Sequence, residues 1–260
     1  MCIRDRLYRA VIRASEAVLS AAAAPAGAAL SAAIASLAAL RGPRPIHTAG
    51  VRLEGSLIWL PAGRTASGIA CIDDRVIGRT PVVARLSRGA SLPARLPDVI
   101  GLAIRIGPEG RDGDLLLSST GIGVPGRFLL RPARTPDHGL LSTLMPYRGS
   151  HGPVLIAARS VTPATLPAQM TAVHRDLLST SWRLDLLFAS PAGKWRRFAE
   201  VELRASDAID SADLRFDPVL RPPRGAGTYA WARMLREPSY RTARRRGRPT
   251  RVIGVGADQE

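Results

Sequence analysis

The stretch Pro81-Val-Val-Ala-Arg-Leu-Ser87, running on to Pro97-Asp-Val-Ile-Gly-Leu-Ala-Ile-Arg105, decides the fold. In its first part Val82, Ala84 and Leu86 alternate with Val83, Arg85 and Ser87, the two-residue period of a strand with one apolar face. The other face carries Arg85 and Ser87 side by side and is a candidate active-site wall. In the second part Ile100, Leu102 and Ile104 alternate with Gly101, Ala103 and Arg105, and the small residues leave room for a group to press against the sheet. A basic, proline-bearing connection joins the two.

Upstream, Val51, Leu53, Leu57 and Trp59 alternate with Arg52, Glu54, Ser56 and Ile58, which predicts a further strand. Short strands are predicted at Asp114 to Ser118, Arg127 to Leu130 and Val154 to Ala158. The clearest hairpin pairs Trp182, Leu184, Leu186 and Phe188 with Ala199, Val201 and Leu203 across Pro191-Ala-Gly-Lys194. Many short strands punctuated by Gly and Pro imply an antiparallel barrel or sandwich, and a single barrel domain with helical additions is the economical reading.

Outside the strands the composition changes. Ala17 to Leu40 holds no charged residue, a length that could span a bilayer. It is mostly Ala, however, with Ser20, Ser31 and Ser36, and Ala24-Pro25-Ala26-Gly27 breaks it, so two short Ala-rich helices and no membrane span are expected. Thr228 to Arg246 can be helical, with Tyr229, Ala232, Leu235 and Tyr240 near one face, an Arg-rich tail on the other, and Pro238 as an interruption. Met1 to Arg6 looks like a translated sequencing adapter, which would make Met1 no biological start. The division expected is an artefact at 1–6, a helical segment at 7–42, a barrel at 43–226, a helix at 227–247 and a tail at 248–260.

The formal charge of +16 suggests a nucleic-acid partner until the cations are sorted. Lys194 is the only lysine, and Arg with abundant Ala, Gly and Pro is also the signature of a GC-rich genome. Aromatics at 5% supply no stacking platform, so nucleic acid is disfavoured. If Cys2 belongs to the adapter, Cys71 is alone and cannot form an internal disulfide, which favours the cytoplasm; it reads as a small buried hydrophobe in preference to a nucleophile.

Arg85, Ser87, Asp98, Gly101, Ala103 and Arg105 also form a hydrophobic-Arg-aliphatic-Ser segment followed by Asp-x-x-Gly-x-Ala-x-basic. This resembles the signature strands of the catalase family. Arg44-Pro-Ile-His47-Thr-Ala-Gly50 resembles the family's Arg-x-x-His-x-x-Gly segment, and Arg236-Glu-Pro-Ser-Tyr240 has its Arg-x-x-x-Tyr spacing. The resemblance covers roughly His47 to Tyr240 and is nearest to the minimal catalase-like proteins. It implies an α+β fold: an antiparallel β-barrel of catalase type with N-terminal Ala-rich helices and a C-terminal Arg-rich helix.

It further implies a haem-dependent oxidoreductase, a catalase or peroxidase, acting on hydrogen peroxide or an organic hydroperoxide. Tyr240 would be the iron ligand, and Arg236, one helical turn earlier, would hold its phenolate against a free pKa of about 10. His47 would be the distal base and Ser87 would hold its other ring nitrogen, while Arg44 and Arg85 would meet the haem propionates. A homo-oligomer is compatible with this reading. Ser119 stands where the family has a catalytic Asn; it donates one hydrogen bond but lacks the amide's reach. Pro238 lies between Arg236 and Tyr240 and removes a helix donor. These departures keep open the alternative of a catalase-fold protein that has lost haem and acts as a non-enzymatic binding module.

The remaining candidates read as structural. His138, His151 and His174 lack metal-ligand spacing. Ser67 lacks a nucleophile elbow, and Gly121-Ile-Gly123 lacks the third glycine of a dinucleotide site.

Overall fold

The computed structural model describes residues 50–61, 63, 65–206 and 214–235. In chain order the strands are β1 (Gly50–Trp59), β2 (Arg79–Arg88), β3 (Ile100–Ile106), β4 (Gly113–Thr120), β5 (Leu140–Ser142), β6 (Tyr147–Gly149), β7 (Gly152–Thr162), β8 (Trp182–Ala189), β9 (Arg196–Ala205) and β10 (Gly227–Thr228). A one-turn helix α1 (Ala70–Asp73) follows β1, and α2 (Met170–Ser179) lies between β7 and β8.

Eight strands close into a ring, β1-β2-β3-β4-β5-β7-β8-β9, with β9 returning to β1 and every pairing antiparallel. β6 and β10 extend the sheet from β7. A barrel of this strand number has an interior just wide enough to be filled by side chains. The period-two pattern supplies them: Leu53, Leu57, Ala84, Leu86, Leu102, Ile104, Leu117, Leu186, Val201 and Leu203 are all buried in one core. Each fully buried aliphatic side chain contributes about 1.5–3 kcal/mol relative to exposure, so a one-residue slip of any strand would be heavily penalised. The filled interior sends any ligand to the outer surface.

The strand readings around β1, β2 and β3 and the β8–β9 hairpin agree with this register. Beyond β5, β6, β10 and α1, which the sequence reading did not contain, two features differ. Residues Arg127 to Leu130, expected as a strand, form a turn over Gly126–Phe128, with Arg127 N donating to Gly123 O at 2.8 Å and Leu129 N to Gly126 O at 3.0 Å. The chain folds back here because the Arg127 side chain turns inward to reach the Ser190 and Gly193 carbonyls, each at 3.0 Å. The second difference is α2, which the strand reading did not contain. Its Met170, Val173 and Leu177 face the core, and His174 Nε2 donates to Ser206 O at 3.1 Å, so this histidine is structural.

A third helix begins at Ala230 and continues to Leu235 at the edge of the described residues. The Ala-rich helices expected at 7–42 and the Arg-rich part of the helix expected at 227–247 lie outside the described residues. Among the described residues no helix is long and apolar enough to cross a membrane.

Candidate functional site

Antiparallel pairing aligns small residues in a row across the outer face of the barrel. Gly50 pairs with Ser87, Ser87 with Gly101, Gly101 with Ser118, Ser118 with Ser142, and Ser142 with Ala157. With neighbouring strands about 4.8 Å apart, the part from Ser87 to Ser118 is a shelf about 10 Å wide with almost no side-chain relief, and the Arg85 side chain lies over Gly50 at its end. The next row along the strands is larger and more basic, pairing Arg52 with Arg85, Arg85 with Ala103 and Ala103 with Leu116. Beyond Ser118 the row passes under Leu140, Leu187 and Trp195, which pack on Ala157.

Arg85 and Ser87 thus stand together as the sequence implies, at 7% and 5% exposure. The Arg85 guanidinium lies against Gly50: a Cβ on Gly50 would sit 2.6 Å from Arg85 Cζ and Nη2. Gly50 is therefore required by a close approach, which its place in a His-x-x-Gly motif does not reveal. Ser87 Oγ donates a long hydrogen bond, 3.5 Å, to Gly101 O.

Ser119 is not on this wall. It pairs with the core residue Leu141, is 2% exposed, and its Oγ accepts the Ile100 N–H at 3.1 Å. The hydroxyl that β4 presents on the outer face is Ser118, one residue earlier and opposite Gly101. Motif alignment chose Ser119; counting the strand period from Leu115 and Leu117 would have found Ser118. Arg44, His47, Arg236 and Tyr240 lie outside the described residues.

Two buried carboxylates hold the wall in register. Asp98 Oδ1 accepts from Ala90 N at 2.9 Å and Val99 N at 2.7 Å, its Oδ2 accepts from Leu92 N at 3.1 Å, and Arg88 Nε approaches at 3.7 Å. This ties the β2–β3 connection and gives the Asp of the signature a structural role. Asp114 accepts from Arg105 Nε at 2.8 Å and Nη2 at 2.9 Å, and from Asp217 N at 2.8 Å. The bond to Asp114 pushes the Arg105 pKa up, and Phe216 covers the guanidinium at 5.1 Å. Burial pushes the Cys71 thiol up to about 12, with Asp112 adding to the rise, so it is not a nucleophile at neutral pH.

Among solved structures the fold is similar to that of a fungal catalase, with a TM-score of 0.54, 12% identity, and cover of 75% of this chain and 57% of that one. A bacterial catalase matches with a TM-score of 0.53 and 11% identity over 77% of this chain and 56% of that one. Catalase A from Saccharomyces cerevisiae matches with a TM-score of 0.56 and 11% identity over 77% of this chain and 60% of that one. No protein-family model and no curated protein matches the sequence. The architecture is therefore the closed antiparallel β-barrel of catalase type. The chain spans less than two thirds of the length of these three catalases.

Proposed function

We propose that this chain is a haem-dependent oxidoreductase acting on hydrogen peroxide or an organic hydroperoxide. The observation that carries the reading is the shelf of Ser87, Gly101 and Ser118 on the outer barrel face, with Arg85 lying over Gly50 at its end. A flat macrocycle needs a surface without protruding side chains and a cation for its carboxylates, and the wall has both; the residues present fit the group. When bound, haem supplies an iron centre that exchanges electrons with the peroxide O–O bond.

The chain's own residues have distinct tasks in this reading. Arg85 would bind a propionate, and Ser87 and Ser118 supply the hydroxyls of the outer face, with Ser87 Oγ held by Gly101 O. His47 would accept and return a proton, and Tyr240, its phenolate favoured by Arg236, would hold the haem iron. Ser118 takes the place at which Ser119 is expected to orient peroxide. Titration of the purified protein with haemin tests the proposal. One haem per chain with a Soret band is expected, and Gly101→Leu, which raises a side chain on the shelf, and Tyr240→Phe should each abolish it. A folded protein that takes up no haem overturns the reading.

A haem-free binding module on the same barrel is the second reading, favoured by the burial of Ser87 and Gly101 in the middle of the shelf. Stoichiometric haem uptake excludes it.

A further inference from the structure

We propose that the loop between β4 and β5 is a membrane-docking tip that seats the protein peripherally on a bilayer rich in anionic headgroups. The loop closes on itself: Gly121 N donates to Gly126 O at 3.0 Å, and a Cβ on Gly121 would meet the Gly126 backbone at 2.9 Å. This leaves Ile122, Gly123, Val124 and Pro125 as a short turn. Ile122 and Val124 are each 55% exposed, and Leu129 and Leu130, just behind it, are 61% and 50% exposed. Four half-exposed aliphatic residues within nine positions are not ordinary surface scatter.

The tip is held rigidly. Trp195 Nε1 donates to Ile122 O at 3.0 Å, Arg127 donates to the Ser190 and Gly193 carbonyls, and the Arg127 guanidinium stacks 4.8 Å from the Trp195 ring centroid. The loop and the β8–β9 hairpin therefore form one knob. No acidic residue occurs from 115 to 136 or from 186 to 199. Arg131, Arg134, Lys194 and Arg196 are exposed, and none of them forms an ion pair among the described residues.

The chemistry selects the occupant. Flanking segments that carry basic and no acidic side chains repel a second copy of this chain, whose formal charge is +16, and attract an anionic surface. The apolar residues sit on a tight turn closed by Gly121 and Gly126, a short tip suited to insertion into a fluid. The exposed tip residues are aliphatic and the half-buried Trp195 ring is already stacked on Arg127, which disfavours nucleic acid. Insertion of an apolar tip with basic residues at headgroup level satisfies both halves of the surface.

Co-sedimentation of the full chain with vesicles of phosphatidylcholine alone, and of phosphatidylcholine mixed with phosphatidylglycerol, tests this. Binding to the mixed vesicles only is expected. Arg131→Ala and Arg134→Ala should each weaken it about fivefold. Ile122→Asp with Leu129→Asp should weaken it at least about tenfold without moving the thermal midpoint, because both side chains are exposed. The proposal is overturned if neither vesicle binds, if the tip variant binds as the parent does, or if the tip instead mediates a dimer that Leu129→Asp disperses. Haem uptake plays no part in these outcomes, so the two proposals fail separately.

Discussion

Removing the Asp114 carboxylate gives the sharpest test of how the wall is held. Its side chain is 0% exposed and receives two Arg105 hydrogen bonds and the Asp217 N–H, while the Arg105 side chain is 19% exposed. Asp114→Ala leaves the guanidinium without its partner in a mostly buried place, a loss of about 3–5 kcal/mol when both ions are fully enclosed. Because Arg105 reaches some solvent, the low end applies, about 3 kcal/mol. The stranded Asp217 N–H adds about 1 kcal/mol. For a chain of this size a loss of about 3–4 kcal/mol lowers the thermal midpoint by roughly 6–16 °C. Circular dichroism melts and urea titration measure it directly. The double variant Arg105→Met with Asp114→Leu removes both charges and should recover most of the loss, since an apolar pair of similar size replaces a buried ion pair at little cost. A single variant within about 1 kcal/mol of the parent, or a double variant no better than the single, would refute the assignment of Asp114 as the anchor of β3, β4 and the segment around Phe216.

Two further outcomes are expected. Gly55→Ala should destabilise by about 1–3 kcal/mol or more in a urea titration, because its Cβ would overlap the Glu202 carbonyl where β1 meets β9, and backbone cannot swing aside. In a Cys2→Ser background, Cys71 should resist alkylation at pH 8 until the protein unfolds, since burial raises its pKa from 9.0 to about 12. The folded state thus keeps a proton that the unfolded state releases, so the stability from this group is complete below about pH 8.5 and falls as pH rises toward about 12. Equal labelling of native and unfolded protein would contradict that burial.

Much of the barrel was legible because a strand exposes its pattern locally. Val82, Ala84 and Leu86 against Arg85 and Ser87, or Trp182, Leu184 and Leu186 before a Pro-Ala-Gly turn, announce both the element and its buried face. α2 was not legible: Met170, Val173 and Leu177 are separated by His174, Arg175 and Asp176, and a ten-residue helix with three core contacts leaves a weak signal. Arg127 to Leu130 misled for the opposite reason, since an apolar run looks the same whether it enters a sheet or tops an exposed turn.

By itself, then, the sequence determined the longer strands, their inner faces and the resemblance of the Arg85 and Ser87 segment, because side-chain alternation depends only on neighbours along the chain, while the short β5, β6 and β10 escaped it. Tertiary structure alone decided the ring closure from β9 to β1, the row from Gly50 to Ser118, and the choice of Ser118 over Ser119 for the outer wall. These are matters of register between strands distant in sequence, where an offset of one residue turns a hydroxyl from the wall into the core.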